Sequence, residues 1–327
     1  MSLLRKKMER KQGLKILVYG IDGSGKSVYG LGFPGVAILD AEAKMGVYEA
    51  NPKFNQNMLA LADTSNYYDA IDVLEEVIKG DACQTFMIDS ETYVYESMQV
   101  SAMESEEDRA RKKGNDPTDS VVAQRGWGKI KLNIARLRGL KAQASMKGIT
   151  LICTAHKEDV MQKVSATESV KVGEKPSLRK NSQHEYDVIL RFYKQKNIAS
   201  GQMEYFAEVE KDTTETFKVG TIINSPCYEN TYKAYTEQSN SREEVKASYD
   251  NTITDTMSTM NVESQEFDEV VLEFETLFKA IKDKDAKEGT KKADGVKDML
   301  KSHSITSYKK PEFFEQLKEV VAEMRAL

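Results

Sequence analysis

A glycine-rich motif at residues 20–27 limits the possible folds of this chain more than any other segment. Residues 20–27 read Gly-Ile-Asp-Gly-Ser-Gly-Lys-Ser and match the pattern G-x-x-x-x-G-K-[ST] without a gap. Residues 15–19 before the pattern, Lys-Ile-Leu-Val-Tyr, predict a buried strand, and the residues after it can begin a helix. A strand, a glycine loop and a helix in this order aim several backbone N–H groups at one point, which favours phosphate binding.

The residue types of this loop predict how it would hold a nucleotide. Its glycines allow a tight turn and a close approach of the backbone to an anion. We expect Lys26 to reach the β- and γ-phosphates of ATP, and Ser27 to bind Mg²⁺ through its hydroxyl. The predicted nucleotide-binding residues are Gly20, Asp22, Gly23, Ser24, Gly25, Lys26, Ser27 and Val28.

Composition narrows the class of protein. The length of 327 residues suffices for one large domain and an accessory region. The 47 basic and 52 acidic residues give a net charge of −5, so any nucleic acid would have to bind a local basic patch. Cysteines are few and far apart, and no apolar run is long enough to cross a bilayer. We therefore expect a cytoplasmic protein that makes no membrane contact.

The chain divides by composition into four predicted regions. Residues 1–13 form a short basic N-terminal arm, and residues 14–225 alternate strand-like and helix-like segments, as an α/β domain does. Residues 226–263 are rich in Ser, Thr, Asn and Glu and predict a polar linker. Residues 264–327 carry amphipathic patterns that predict a helical C-terminal region. The arm is either merely solvated or contacts DNA, and its basic residues are Arg5, Lys6, Lys7, Arg10 and Lys11.

Within the α/β region the segment types predict a mostly parallel central sheet with an antiparallel extension at one edge. The extension is expected from closely spaced strand-like segments between residues 188 and 223. Two polar stretches interrupt the pattern. Residues 101–126 predict a loop or a mobile helix, and residues 158–183 predict a flexible loop.

Polar residues at the ends of predicted strands add a second set of candidates. Asp89 ends an apolar strand at a position typical of a metal-binding aspartate. Glu42 and Glu91 each follow a strand-end aspartate by two residues, and spacing alone does not decide which would orient an attacking water. His156 follows another strand at the ligand-binding edge of the sheet, where it either senses a γ-phosphate or is an ordinary loop histidine.

The order of these motifs resembles that of the RecA-like ATPases. Residues 38–43, Ile-Leu-Asp-Ala-Glu-Ala, resemble the segment that carries the catalytic glutamate of that family. Residues 87–90, Met-Ile-Asp-Ser, are similar to its Walker B strand. Residues 151–156, Leu-Ile-Cys-Thr-Ala-His, resemble the strand that ends in the γ-phosphate sensor, with the Thr-Ala-His ending of phage and bacterial single-domain members. The resemblance covers about residues 14–225.

This resemblance implies a RecA-like P-loop NTPase fold with a C-terminal α-helical appendage. It implies a homo-oligomeric ATPase that uses ATP and Mg²⁺ and acts on single-stranded DNA in phage-type recombination, annealing or replication. On this basis Glu42 rather than Glu91 activates water, Ser27 and Asp89 bind the metal, and His156 reports the γ-phosphate, with Lys26 as the third catalytic residue. Residues 97–126 and 158–183 match in position the loops with which RecA-like proteins grip DNA. Their basic residues are Arg109, Arg111, Lys112, Lys113, Lys171, Lys175, Arg179 and Lys180.

The chain also departs from the family pattern. Of the Lys-x-Arg element that reaches a neighbouring subunit's nucleotide in many members, only Lys211 is present. Two other functions stay open at this point. One is a nucleotide-switched scaffold whose C-terminal helices recruit a protein partner in DNA metabolism. The other is a nucleotide or small-molecule kinase, for which basic residues at 107–113 would form a lid.

Overall fold

The strand predicted before the phosphate loop lies in the middle of a mixed β-sheet. This computed structural model describes residues 7, 9–165, 168–242, 252–288, 291–308 and 313–325. The strands in that part of the chain are β1 (Lys15–Gly20), β2 (Val36–Asp40), β3 (Met58–Asp63), β4 (Thr85–Asp89), β5 (Thr150–Lys163), β6 (Ser169–Pro176), β7 (Val188–Lys196), β8 (Met203–Asp212) and β9 (Ile222–Asn224). They follow the order β3-β2-β4-β5-β1-β7-β8-β9, and β6 pairs with β5 outside this path.

The central strands are parallel, and this brings the predicted site residues to one edge of the sheet. Strand β1 pairs in parallel with β5 and β7, and β2 pairs in parallel with β3 and β4. In this register Asp40 lies beside Asp89, and Gly20 lies beside His156. The pairs β7–β8 and β8–β9 are antiparallel. The prediction of a mostly parallel sheet with an antiparallel extension is therefore confirmed.

Helices cover both faces of this sheet. In the first of two compact units, Met1–Asp250, the described helices are α1 (Lys26–Leu31), α2 (Gly46–Glu49), α3 (Tyr67–Lys79), α4 (Glu91–Lys112), α5 (Gln124–Met146) and α6 (Lys233–Asn240). Alternate residues of β1 face opposite sides, as period-two geometry requires. Leu17 and Tyr19 pack with α3, α4 and α5, whereas Ile16 and Val18 pack with α1. Both faces of the central strands are thus buried, which explains their continuous apolar runs.

The two polar stretches are more regular than their composition indicates. Residues 101–112 continue helix α4, where Arg109 and Arg111 form ion pairs with acids one turn earlier. The prediction of a flexible loop over residues 158–183 is wrong for most of its length, because β5 runs on to Lys163 and β6 returns beside it as an antiparallel hairpin. Cross-strand ion pairs between polar side chains stabilise this hairpin.

The stretch predicted as a linker contains two helical segments. Helix α6 lies inside residues 226–263, and α7 (Thr252–Glu288) begins inside them. Tyr228 and Tyr232 are buried in the core on the α1 side of the sheet, and the Ser239 hydroxyl bonds to the backbone of Gln12. Burial of these aromatic rings stabilises a folded segment where the Ser- and Asn-rich composition predicts a linker.

The second compact unit, Asn251–Leu327, is helical, as the sequence predicts. Besides α7 it contains α8 (Lys292–Ser302) and α9 (Phe314–Met324). Phe274, Val296, Leu317 and Val320 form the centre of its own apolar core. In the described ranges, no helix combines the length and the apolar character that a bilayer crossing needs.

The basic arm lies partly outside the described residues. Arg5 and Lys6 belong to the part that is not described. Arg10 donates a hydrogen bond to Gln12, and the stem of Lys11 packs against Gly148, whose φ of +91° suits only a residue without a side chain. The described end of the arm is therefore anchored on the first unit.

We expect Leu17→Ala to lower the free energy of unfolding of the first unit by about 2–5 kcal/mol, because Leu17 is fully buried and the substitution leaves a cavity. The matched variant Leu59→Ala removes the same atoms from a side chain that is 54% exposed on β3, and should change stability by less than about 0.5 kcal/mol. Urea unfolding followed by the fluorescence of Trp127, the single tryptophan, measures both. Equal losses would contradict the assigned core.

Candidate nucleotide-binding site

The phosphate loop joins β1 to α1, and three of its glycines are required by its geometry. Gly23 and Gly25 have φ values of +63° and +96°, which side chains rarely permit. A Cβ on Gly20 would lie 2.0 Å from the carbonyl oxygen of Phe192 on the neighbouring strand. The loop can therefore turn sharply from the sheet into the helix, with the N-terminus of α1 facing the cleft.

Lys26, the first residue of α1, has its ammonium folded back onto this loop. Nζ donates hydrogen bonds to the carbonyl oxygens of Gly20 and Ile21 at 3.1 and 3.0 Å. Burial lowers the pKa of Lys26, while the nearby carboxylates of Asp22 and Asp89 oppose that change. A buried cation with only carbonyl partners is well suited to bind an anion that enters the loop.

Asp89, at the end of β4, ties three elements together. The Ser27 hydroxyl donates to its Oδ2 at 2.7 Å, and the Thr154 hydroxyl on β5 donates to its Oδ1. Asp89 is only 5% exposed, and burial raises its pKa while the hydrogen bonds from Ser27 and Thr154 oppose the rise. Thr154, which sequence reasoning did not assign, thus holds the carboxylate in place.

The donors around Asp89 fit Mg²⁺. A serine hydroxyl and a carboxylate in contact are hard oxygen ligands, which Mg²⁺ prefers. Among the described residues, no group of three or more His, Cys, Asp or Glu side chains forms a metal cage. A Mg²⁺ ion bound here would therefore take most of its ligands from water and from nucleotide phosphates, as is usual for this ion.

Glu42 lies at the edge of the same cleft, held by two neighbours. His156 Nε2 is 2.7 Å from Glu42 Oε1, and Lys44 Nζ donates to Oε2 at 2.6 Å. Burial alone would raise the pKa of Glu42, but hydrogen bonds from donors including Lys44 and His156 outweigh it and lower the pKa. Glu42 is therefore a carboxylate at neutral pH and can accept a hydrogen bond or a proton.

Asp40 shapes the turn that presents Glu42. This aspartate ends β2 and is buried, and its two carboxylate oxygens accept hydrogen bonds from the backbone N–H groups of Glu42 and Met45. Both oxygens are thus occupied by the chain itself. Asp40 therefore holds the backbone of this turn in position.

Glu91 belongs to a different cluster. Its carboxylate pairs with the buried Lys141 of α5 at 2.7 Å and accepts a hydrogen bond from the Tyr186 hydroxyl. Lys141 also donates to the Tyr186 hydroxyl at 3.0 Å. Burial would raise the pKa of Glu91, but the charge of Lys141 and these hydrogen bonds lower it. The structure therefore separates the two glutamates that spacing left equivalent, because only Glu42 lies in the cleft.

Most predicted site residues line one open cleft of about 260 Å³. Two further residues that sequence reasoning missed, Lys44 and Tyr48, also line it; both follow the Asp-Ala-Glu segment closely. Gly20 lies at the strand end rather than in the lining, and Val28 is an exposed residue of α1 outside it. The lining comprises Asp22, Gly23, Ser24, Gly25, Lys26, Ser27, Glu42, Lys44, Tyr48, Asp89 and His156.

A threonine connects this cleft to the β5–β6 hairpin. The Thr92 hydroxyl accepts a hydrogen bond from the backbone N–H of His156 and donates one to the backbone carbonyl of Ser177. The Ser177 N–H in turn donates to the His156 carbonyl at 2.8 Å. The base of the hairpin is thus joined to the residue beside Glu42 through the first turn of α4.

The basic residues proposed to contact DNA are mostly paired within the chain. Ion pairs with acidic neighbours involve Arg109, Arg111, Lys171, Lys175 and Arg179. For Lys112, Lys113 and Lys180 the described residues provide no ion-pair partner. Lys211 donates to the backbone carbonyl oxygens of Gln183 and Tyr186, so its ammonium is bound within its own chain.

One protein family matches more than half of the chain. A family model described as "AAA domain" matches residues 12–218. Among solved structures, the flagellar accessory protein FlaH from Methanocaldococcus jannaschii is similar at 13% identity, over 66% of this chain and 85% of that chain, with a TM-score of 0.35. No curated protein matches the sequence.

The Glu91–Lys141 pair predicts a change in the pH dependence of stability. Because the pKa of Glu91 is lowered by folding, its contribution is present above its ordinary value of 4.5 and is lost as pH falls through the folded value. Glu91→Gln should cost about 3 kcal/mol at pH 7 and make the loss of stability below pH 4.5 less steep. Urea unfolding between pH 3 and 7 tests this, with the exposed Glu96→Gln on the same helix as control. Parallel pH profiles would refute it.

Proposed function

Because the chain belongs to the AAA domain family, we propose that it binds and hydrolyses ATP with Mg²⁺. The observation that carries this proposal is the meeting of three groups in one cleft. They are the Lys26 ammonium inside the glycine loop, the Ser27–Asp89 oxygen pair, and the Glu42 carboxylate. These groups supply a phosphate clamp, metal ligands and a group that orients water, as phosphoryl transfer needs.

Binding of the triphosphate is assigned to the loop and to Lys26. The backbone of residues 20–27 and the N-terminus of α1 face the phosphates, and Lys26 exchanges its carbonyl partners for phosphate oxygens. Ser27 and Asp89 hold Mg²⁺, which when bound neutralises phosphate charge. The half-buried ring of Tyr48 at the cleft wall offers an apolar surface for the nucleoside.

Hydrolysis is assigned to Glu42. Its carboxylate orients a water in line with the γ-phosphorus and accepts a proton as the water oxygen attacks. The bond between the γ-phosphorus and the bridging oxygen breaks, and that oxygen leaves with the electron pair on ADP. Lys44 and His156 fix the direction of the carboxylate through their hydrogen bonds. His156 forms a hydrogen bond with the Glu42 carboxylate, and we assign it the role of sensing whether the terminal phosphate is present.

Single-stranded DNA is the partner that we propose for this ATPase. The β5–β6 hairpin and the C-terminal half of α4 are exposed. The ammonium groups of Lys113 and Lys180, which have no ion-pair partner in the described part of the chain, can follow a phosphate backbone. Trp127, at the start of α5, is 41% exposed and offers a ring for base stacking. The Thr92 link supplies a route from such a contact to His156.

The biological setting is proposed from the order of the motifs. The Asp-Ala-Glu, Asp-Ser and Thr-Ala-His segments support a role in phage-type recombination, annealing or replication, in the cytoplasm and as a homo-oligomer. The C-terminal unit has an apolar core of its own, which supports a separate module that contacts a protein partner. If ATP were bound without turnover, the protein would instead be a nucleotide-switched scaffold.

Lys26→Ala should abolish ATP binding and turnover, because it removes the cation of the phosphate loop. Glu42→Gln should lower turnover by about 10²–10³-fold while affinity for a non-hydrolysable ATP analogue stays within about threefold, since the amide cannot accept a proton. The exposed Glu49→Gln on α2 is the matched control and should leave both unchanged. Phosphate release and analogue binding measure these effects. If the Glu42→Gln variant hydrolysed ATP at the wild-type rate, Glu42 would not be the residue that activates water.

Single-stranded DNA should accelerate ATP turnover, and the acceleration should weaken as salt rises. Replacing both Lys113 and Lys180 by Ala should reduce the salt slope of DNA binding by roughly 1.4, the value for two contacts to a single strand. Replacing the exposed Lys218 and Lys287 by Ala removes the same charge elsewhere and should leave the slope unchanged. Binding measured at several salt concentrations distinguishes the pairs. Equal slopes, or no effect of DNA on the wild type, would contradict the proposal.

A further inference from the structure

Lys194 places an ammonium group against the phosphate loop from a neighbouring strand. A Cβ built on Gly23 would lie 3.0 Å from Lys194 Nζ, so the ammonium is in contact range of the loop backbone at that residue. Lys194 lies on β7, far from the loop in sequence. No motif marks it, and the loop pattern itself provides a single lysine, Lys26.

Strand geometry explains this position. Strand β7 runs parallel to β1 with Phe192 beside Gly20, and then continues beyond the end of β1 to Lys196. Residues two apart on a strand share a face. Lys194 is therefore on the face of Phe192, whose ring packs against Tyr29 of α1 with centroids 5.3 Å apart. The side chain of Lys194 lies on the α1 side of the sheet, next to the loop that leads into this helix.

The charge of Lys194 has no close partner in the described part of the chain. No hydrogen bond or ion pair engages its ammonium there, although the residue is half-buried. Two carboxylates of the cleft have other partners, since Glu42 pairs with Lys44 and Asp89 accepts from Ser27. The exposed Asp22, next to Gly23, forms no ion pair with Lys194 in the described structure. Arg191, on the same strand, in contrast pairs with three glutamates. An uncompensated cation beside a phosphate loop indicates an anionic ligand.

We propose that Lys194 is a second catalytic lysine that contacts the terminal phosphate of the nucleotide bound by its own chain. The proposal rests on the ATPase function above and adds a residue to it. Lys26 approaches the phosphates from within the loop, and Lys194 approaches from outside it at Gly23. As water attacks the γ-phosphorus and the bridging bond breaks, Lys194 stabilises charge on the phosphate oxygens and transfers no proton.

This assignment fills the role for which Lys211 was the candidate. Because Lys211 donates to two backbone carbonyl groups, its ammonium is committed inside its own subunit. Lys194 needs no second subunit, since the loop that it contacts belongs to the same chain. The structure thus favours a cation supplied in cis.

The test compares Lys194→Ala and Lys194→Arg with Lys196→Ala, which removes an exposed lysine from the same face of the same strand. Lys194→Ala should lower turnover by about 10²-fold, the effect of losing one donor to a developing charge. It should weaken binding of a non-hydrolysable ATP analogue while ADP affinity and melting temperature stay at wild-type values. Lys194→Arg should retain most of the turnover, and Lys196→Ala should match the wild type.

A mixing experiment separates action in cis from action in trans. Lys26→Ala has an intact Lys194 but no functional loop, and Lys194→Ala has the reverse. If Lys194 acts within its own chain, a mixture of the two variants gives no more turnover than its components. Restored turnover would show that a neighbouring subunit supplies the lysine, and would overturn the assignment in cis.

Other outcomes also decide the proposal. Wild-type turnover by Lys194→Ala would refute it. Equal losses of ADP and ATP-analogue affinity would mean that Lys194 only balances the charge of Asp22 in the loop, which also refutes it. Absence of turnover in the wild type would refute the proposed ATPase function. In that case selective loss of analogue binding over ADP binding would still support the phosphate contact, and its absence would not.

Discussion

The buried carboxylate of Asp89 is the interaction on which the site depends. It ends strand β4 and accepts hydrogen bonds from Ser27 at the start of α1 and from Thr154 on β5. Three elements that are distant in sequence are thereby locked at one edge of the sheet. Because the group is almost fully buried, it is stable as a carboxylate only with such donors or with a cation. The hydrogen bonds from Ser27 and Thr154 meet that requirement and fix the carboxylate beside the phosphate loop.

The two glutamates near this carboxylate have been separated by their surroundings. Glu42 follows a turn that Asp40 holds rigid, and it reaches the cleft with Lys44 and His156 as hydrogen-bond partners. Glu91 begins a helix that crosses the sheet, and its side chain is directed to Lys141. The pKa of each glutamate is lowered, but by different neighbouring groups. Hydrogen bonds from donors including Lys44 and His156 keep Glu42 ionised in the cleft, whereas Glu91 compensates the charge of the buried Lys141 and so joins helices α4 and α5.

Two strands extend beyond the edge of the sheet and give the cleft features that a minimal α/β core lacks. Strand β5 continues past His156 into the hairpin with β6, and Thr92 fastens the base of that hairpin. Strand β7 continues past the end of β1, and this places the Lys194 ammonium next to Gly23 of the loop. Both extensions are continuous with strands that flank β1. Each extension is therefore connected through its own strand to residues beside the phosphate loop.

Local spacing and periodicity suffice to predict the phosphate loop, the mostly parallel sheet, the helical C-terminal region and the set of candidate acids from the sequence alone. Spacing left Glu42 and Glu91 equivalent, and the family resemblance favoured Glu42; the tertiary structure adds that Glu42 lines the cleft while Glu91 pairs with the buried Lys141. It also showed a hairpin where polarity indicated a loop, because cross-strand pairing is not visible in composition. Lys194 could not be found from the sequence, because its position depends on how far β7 extends past the end of β1.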